Sequence, residues 1–348
     1  MKNILNLSKK ELEEYCTGNG FKKYGAEQIM RWIYQSRIFD FSVMSDISKD
    51  LRGKLNKDFY VKLPEIIDVK YENDESGYSK KYLIKFENGD IAESVSIAHK
   101  NRKTLCVSSQ VGCRMGCIYC ETAGIGFSRN LTSGEIISQL LTVENDNSDK
   151  ITNIVFMGMG EPLDNITEVE KALEILSNDK FIGIAPRKIT VSTCGLINIL
   201  EKSDINAYKY KLAISLNAAD NETRSMLMPI NKKFPIEKIA ELVNLKKPSL
   251  HNKITLEYVL IKDLNDRIED AKRIIKLFSP SKIKINLIPL NKDENSVYLK
   301  NFERPDDFIV DKFKTKLSDA GFTVTVRFSK GGSISGGCGQ LKARMLKY

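Results

Sequence analysis

The chain has 348 residues, is 42% hydrophobic and 28% charged, and carries a formal net charge of +9, a globular composition with room for one large core and a smaller appended unit. No stretch is long and apolar enough to span a bilayer, and the opening MKNILNLSKKELEEYCTG turns charged at once without a signal-peptide centre, which reads as cytoplasmic with no membrane partner. Seven cysteines, three of them clustered, exclude a spaced disulfide framework and point to metal, catalysis or burial.

Charge is unevenly spread. Basic and acidic residues nearly balance over the first 150 positions, whereas no acid follows Asp319 and Arg327, Lys330, Lys342, Arg344 and Lys347 do. A basic C-terminal end suits a polyanion such as nucleic acid, and equally suits plain solubility.

Residues 8 to 60 read as helical. Ser8 is a candidate N-cap with Glu11 three positions on, and YGAEQIMRWIYQ puts Ile29, Trp32 and Ile33 on one face. Two β-rich runs follow, KKYLIKF and IAESVSI, joined by ENGD, whose Asn-Gly predicts a hairpin. Residues 1–98 form the expected accessory domain.

Beyond it, β-branched runs alternate with helical ones. TLCVSS, ITNIVFMG, KITVST, KLAISL, ITLEYVLI, KINLIPL and FTVTVRF are separated by stretches such as SGEIISQLLTVEN, PIEKIAELVNL, DRIEDAKRIIKLF and PDDFIVDKFKTKLSDAG. That rhythm predicts an α/β fold with a parallel sheet, doubly wound or curled toward a barrel, with its chemistry at the C-terminal strand ends. The core is expected over 99–330, followed by a C-terminal segment, 331–348.

After the first strand of this series comes CRMGCIYC, with Cys113, Cys117 and Cys120 spaced C-x3-C-x2-C. Structural zinc wants four closed ligands, and His251 is the only later histidine. Three thiols on a polar, glycine-containing loop also make a poor core. An iron–sulfur cube normally takes four thiolates; with three, one iron keeps a position open for a small chelating molecule. VFMGMGEPL contains Gly158-x-Gly160, a fragment of a dinucleotide fingerprint that lacks its third glycine and runs into Pro162, so a Rossmann reading is weak.

The cysteine spacing, with aromatic Tyr119 before the third thiol, resembles the signature of the radical S-adenosylmethionine (SAM) superfamily. Its fold, a partial (β/α)6 barrel, suits the alternation above. YGAEQIMRWIYQ, TLCVSSQVGC, GEPL, STCG, SLNA, MPIN, LIPLN and CGQL occur in order, and together they are similar to the RlmN-type adenine methyltransferases. The resemblance implies a 4Fe–4S cluster on Cys113, Cys117 and Cys120. It also implies SAM binding by Gly160, Glu161, Ser192, Ser215, Leu216, Asn217 and Asn291, and an electron from a donor such as flavodoxin or ferredoxin. The implied substrates are C2 of an adenosine in the peptidyl-transferase centre of 23S rRNA and, in some members, of adenosine 37 in tRNA.

Adenine C2 is electron-poor and has no lone pair, so it cannot attack a SAM methyl group as a nucleophile, but a carbon radical can add to it. The resemblance assigns Cys338 as the methyl-accepting thiol, Cys106 as the thiol that releases product through a transient disulfide, and Glu93 as proton acceptor. Read without it, Cys106 suits strand packing, Glu93 suits a solvated strand, Ser192 and Asn291 suit turns, and burial is the default for Cys16 and Cys194. Cys338, between glycines in an acid-free tail, makes little sense as core.

The glycines of KGGSISGGCGQ offer little backbone resistance to movement. Extruding a base from folded RNA costs a few kcal/mol, which phosphate contacts to the basic half would offset. The sequence departs from the family pattern at Asn217 (usually His), at Gly336 and Gly337 (usually Ala-Ala), at Ser333 and Ser335 (usually acidic), and at Glu121. Two other functions stay open: the sister C8 methylation, against which GEPL rather than GEAL argues, and a non-enzymatic RNA-binding protein with a metal-stabilised loop.

Overall fold

The computed structural model describes residues 1–74, 77–147, 150–202, 205–248, 252–291, 301–327, 334–337 and 339–341. Cys338, His251, Ser333, Lys330, Lys342, Arg344 and Lys347 lie outside the described residues.

Three helices come first. Helix α1 (Lys9–Gly18) starts from the expected capping box, with Glu11 N–H donated to Ser8 Oγ at 3.2 Å and Ser8 N–H to the Glu11 carboxylate at 2.7 Å. Helix α2 (Tyr24–Tyr34) buries Ile29 and Ile33; Trp32 is partly buried and donates its indole N–H to Asp46. Helix α3 (Lys49–Asp58) is capped by Ser48. All three pack into the apolar core that runs from Ile4 to Leu341.

Ten strands then form one sheet, and their spatial order is their chain order. They are β1 (Glu65–Asp74), β2 (Gly77–Lys85), β3 (Ile91–His99), β4 (Arg102–Cys106), β5 (Asn153–Phe156), β6 (Ile189–Thr193), β7 (Lys211–Ser215), β8 (Ile254–Leu260), β9 (Ile283–Pro289) and β10 (Thr323–Val326). The ENGD hairpin is present, with Lys85 opposite Ile91. Strand β1, which no motif above anticipates, pairs antiparallel with β2. This ribbon does not stand apart: β3 pairs antiparallel with β4 and continues the core sheet.

From β4 to β10 every pairing is parallel. The crossovers carry α4 (Glu121–Ile125) and α5 (Ser133–Asn147), then α6 (Ile166–Ser177), α7 (Asn221–Leu227), α8 (Ile236–Leu245), α9 (Ile268–Leu277) and α10 (Asp307–Asp319). Laid flat, six inter-strand steps would set β4 and β10 about 29 Å apart. Yet Arg102, opening β4, and Arg327, just past β10, line one cavity. The sheet is therefore curled into an open barrel. One cross-strand row on a single face runs Lys81, Val95, Cys106, Val155, Thr190, Lys211. Glu93, two residues before Val95, shares that face.

Candidate active site

The C-terminal ends of the parallel strands converge on one cavity. Cys113, Cys117 and Cys120 line it from the loop after β4, and Gly158, Gly160 and Glu161 from the loop after β5. Ser192 and Cys194 come from the end of β6, Ser215 and Asn217 from β7, Glu257 and Val259 from β8, and Ile288 from β9. Alternation along each strand sends every second side chain inward, so a short motif at each strand end suffices to furnish one wall.

Two glycines let the loops meet. A Cβ on Gly158 would lie 2.6 Å from Val107 O. Gly160 has φ +97°, and a Cβ there would lie 2.5 Å from Gln110 Cβ, so only glycine fits without strain. Glu161 follows, 4% exposed. Its main-chain N–H is donated to Gln110 Oε1 at 2.9 Å, and its carboxylate accepts from Cys194 N at 2.7 Å and Leu163 N at 3.0 Å. Burial raises its pKa, and the backbone donors from Cys194 and Leu163 oppose the shift. The carboxylate thus locks the loop to β6 while keeping lone pairs toward the cavity.

Burial also pushes the three thiols up, Cys113 to about 12 and Cys117 and Cys120 in the same direction. Such thiols become thiolates when a metal replaces their protons. Among the described residues, no three His, Cys, Asp or Glu side chains converge on one point as a single ion would require. A cube offers a different iron to each thiolate, so three sulfurs around one cavity satisfy it. Arg224, fully buried on α7, supplies a fixed positive charge nearby. Burial lowers its pKa, opposed by Cys194, Tyr119 and Cys117. It donates to the main-chain oxygens of Leu216, Cys194 and Ser215 and to Asn231 Oδ1.

Asn217 stands at φ +54°, a left-handed position asparagine tolerates. Its amide donates to Tyr119 Oη at 2.5 Å and accepts from Val259 N at 2.9 Å, tying the cysteine loop to β8. Leu216 is buried; its main-chain N–H goes to Glu257 O, and its side chain is not among the cavity's lining. Asn291, two residues beyond β9, is not among the lining residues either. Cys106 and Glu93 lie outside this cavity, on the shared sheet face. Glu93 is paired with Lys81 at 3.2 Å, and Lys81 also donates to Ser335 O at 3.3 Å.

The chain around Cys338 docks on the cysteine loop. Glu121 N–H is donated to Gly339 O at 2.8 Å and Thr122 Oγ1 to Leu341 O at 2.7 Å, and Gly339 and Leu341 line the cavity. Three contributors escaped the sequence reading. Cys194 is buried, as its default required, but it also lines the cavity. Glu257 is a lone acid within the apolar run ITLEYVLI, and that oddity was the available signal. Arg224 gave none, since three of its four acceptors are main-chain oxygens, which no side-chain motif marks.

A barrel of parallel strands with a three-cysteine loop and a glycine–glutamate loop at its C-terminal mouth defines a radical SAM protein. The Radical SAM superfamily model matches residues 107–278, and that of the ribosomal RNA large subunit methyltransferase N-terminal domain matches residues 2–61. The dual-specificity RNA methyltransferase RlmN of Nitratiruptor is 42% identical, covering 99% of this chain and 98% of its own. That of Geobacter sulfurreducens is 40% identical, covering 99% and 93%. The crystal structure of a radical SAM methyltransferase from Sphaerobacter thermophilus superposes with a TM-score of 0.86 at 32% identity, covering 99% of this chain and all of that one. The chain belongs to the RlmN family of radical SAM dual-specificity RNA methyltransferases. Among the described residues no helix is long and apolar enough to cross a membrane.

Proposed function

We propose that this chain methylates C2 of adenosine in 23S rRNA and tRNA. The observation that carries the reading is the docking of Gly339 and Leu341 onto the cysteine loop. It brings the segment matching the family's methyl-accepting motif against the wall that would hold the cluster. Cys113, Cys117 and Cys120 would hold a 4Fe–4S cluster, and Gly160, Glu161, Ser192, Ser215 and Asn217 would hold SAM. When bound, cluster and SAM supply methyl groups and, with an electron from a flavodoxin or ferredoxin, a carbon radical that abstracts hydrogen from an S-methyl group.

The protein's part is positional and acid–base. Cys338 accepts the methyl group and carries the carbon that bonds to C2. Glu93, held by Lys81, takes the C2 proton as the adduct gives up its unpaired electron to a one-electron acceptor, the oxidised form of the flavodoxin or ferredoxin that supplied it. The Cys106 thiolate then attacks the Cys338 sulfur. The S–S bond forms as the S–CH2 bond breaks, and the released electron pair, once protonated, completes the methyl group on the RNA. The disulfide must be reduced before the next turnover.

The test is anaerobic reconstitution, incubation with SAM and unmodified rRNA and tRNA, and mass spectrometry of the nucleosides. 2-Methyladenosine is expected; 8-methyladenosine, or no product, would overturn the reading.

A further inference from the structure

A second cavity, about 360 Å³, opens within the barrel on the side away from the cysteines. Arg102, Lys211, Lys284 and Arg327 line it. Arg102 and Lys211 are the first residues of β4 and β7, and Lys284 is the second of β9, so these three cations sit where the parallel strands enter, while Arg327 reaches the cavity from just past the end of β10. Met157 and Glu257 line both cavities, which makes the two neighbours in one interior.

The charge here is not balanced. Arg102 donates Nε to Thr104 Oγ1 at 3.1 Å, and none of Arg102, Lys211 and Lys284 has an ion-pair partner among the described residues. The cavity's carboxylate, Glu257, is buried and accepts from Asn286 Nδ2 at 2.9 Å; burial raises its pKa and Arg327, Asn286 and Lys284 oppose the shift, so it offsets one of the four cations and leaves the rest in excess. Burial lowers the pKa of Lys211, and so do Lys284 and Arg102 beside it; burial and Arg327 do the same to Arg102. Cations on an ordinary solvated face point apart into water. These face one another across a curled sheet, and an anion between them removes both the repulsion and part of the desolvation cost.

We propose that this cavity seats a phosphodiester flanking the target adenosine, clamped by Arg102, Lys211, Lys284 and Arg327, while the extruded base enters the adjoining cavity. The inference rests on RNA being the substrate. Guanidinium forks and ammonium groups converging from separate strands suit a phosphate's several oxygens. Rigid strands fix where the phosphate stops, and so how far the base projects toward the cysteine loop.

The experiment measures binding of a hairpin RNA carrying the target adenosine to the full reconstituted protein across a salt series. Lys211→Met and Lys284→Met should each reduce the slope of log affinity against log salt by up to about 0.7, the value for one unpaired-strand phosphate, and weaken target and non-target hairpins by the same factor. Lys238→Met, which removes an exposed cation on α8, should change neither. A hairpin with a neutral methylphosphonate beside the target adenosine should lose affinity for the wild type and lose clearly less for Lys284→Met, whose three remaining cations still face the phosphate. Fully additive losses, or unchanged slopes in both cavity variants, would overturn the proposal, as would competition by free pyrophosphate with no response to the methylphosphonate. Neutralising Lys211, whose charged neighbours are the cations Lys284 and Arg102, should not lower the melting temperature; if either variant fails to fold, Arg102→Gln, at the exposed rim, repeats the measurement. Methyladenosine formation by the wild type is scored separately, so the functional reading stands or falls on its own.

Discussion

Lys81 and Glu93 form an ion pair of 3.2 Å in which neither side chain is more than 7% exposed. The same ammonium reaches the main-chain oxygen of Ser335, so one cation fastens both the proposed proton acceptor and the segment leading to Cys338. Lys81→Met should destabilise the protein by about 3 kcal/mol or more, because it leaves a buried carboxylate without its cation. Adding Glu93→Gln should recover much of that loss, and chemical denaturation of the four-member cycle measures the coupling. Independent, additive effects would show that the pair is not energetically linked.

Gly160 adopts φ +97° with its missing side chain aimed at Gln110. Gly160→Ala should cost about 1–3 kcal/mol in backbone strain and push the loop off β6. We expect SAM binding to weaken at least about tenfold, the equivalent of 1.4 kcal/mol, in equilibrium dialysis. An alanine variant binding SAM as tightly as the wild type would remove this loop from the SAM site.

Arg224 satisfies four acceptors from three segments. Arg224→Met withdraws the donor from all four; Leu216 O keeps the Ala218 N–H, and each group left unsatisfied costs about 1–3 kcal/mol. A total loss of at least about 3 kcal/mol is expected in urea denaturation. Arg224→Lys should recover only part, since an ammonium lacks the planar fork. Full recovery by lysine would mean that charge alone matters there.

Glu11 links the cap of α1 to Lys171 on α6 at 3.0 Å. Burial raises its pKa, but the Ser8 hydrogen bonds and Lys171 outweigh it, and the carboxyl ends below its ordinary 4.5. A depressed folded value means the contribution is present above 4.5 and is lost as pH falls through the folded value. Glu11→Gln should therefore melt lower than the wild type at neutral pH, with the gap closing as pH drops below 4.5. A gap that is constant with pH would assign the effect to packing.

Much of this was legible in the sequence because it is local. Seven β-branched runs became the seven parallel strands, ENGD became the hairpin, and Ser8 with Glu11 became the capping box. The cysteine spacing and the GEP loop located the cavity, and Gly160, Glu161, Ser192, Ser215 and Asn217 all line it. What was not legible is non-local. Nothing in residues 65–74 says that β1 joins a ribbon extending the core sheet through β3 and β4. Pairing partners are chosen by hydrogen bonds between distant segments, not by alternation within one. Arg224 was hidden for another reason: main-chain acceptors leave no mark in a sequence. Cys194 shows the converse limit: a thiol can be core by burial and still face a site.

The most direct measurement is the electron paramagnetic resonance spectrum of the reduced, anaerobically reconstituted protein before and after SAM is added. If Cys113, Cys117 and Cys120 hold a cube with one iron left open, the spectrum changes on addition, and replacing any of the three by serine abolishes both the iron–sulfur signal and the response. A cluster signal that ignores SAM, or a serine variant that keeps the full response, would contradict the account.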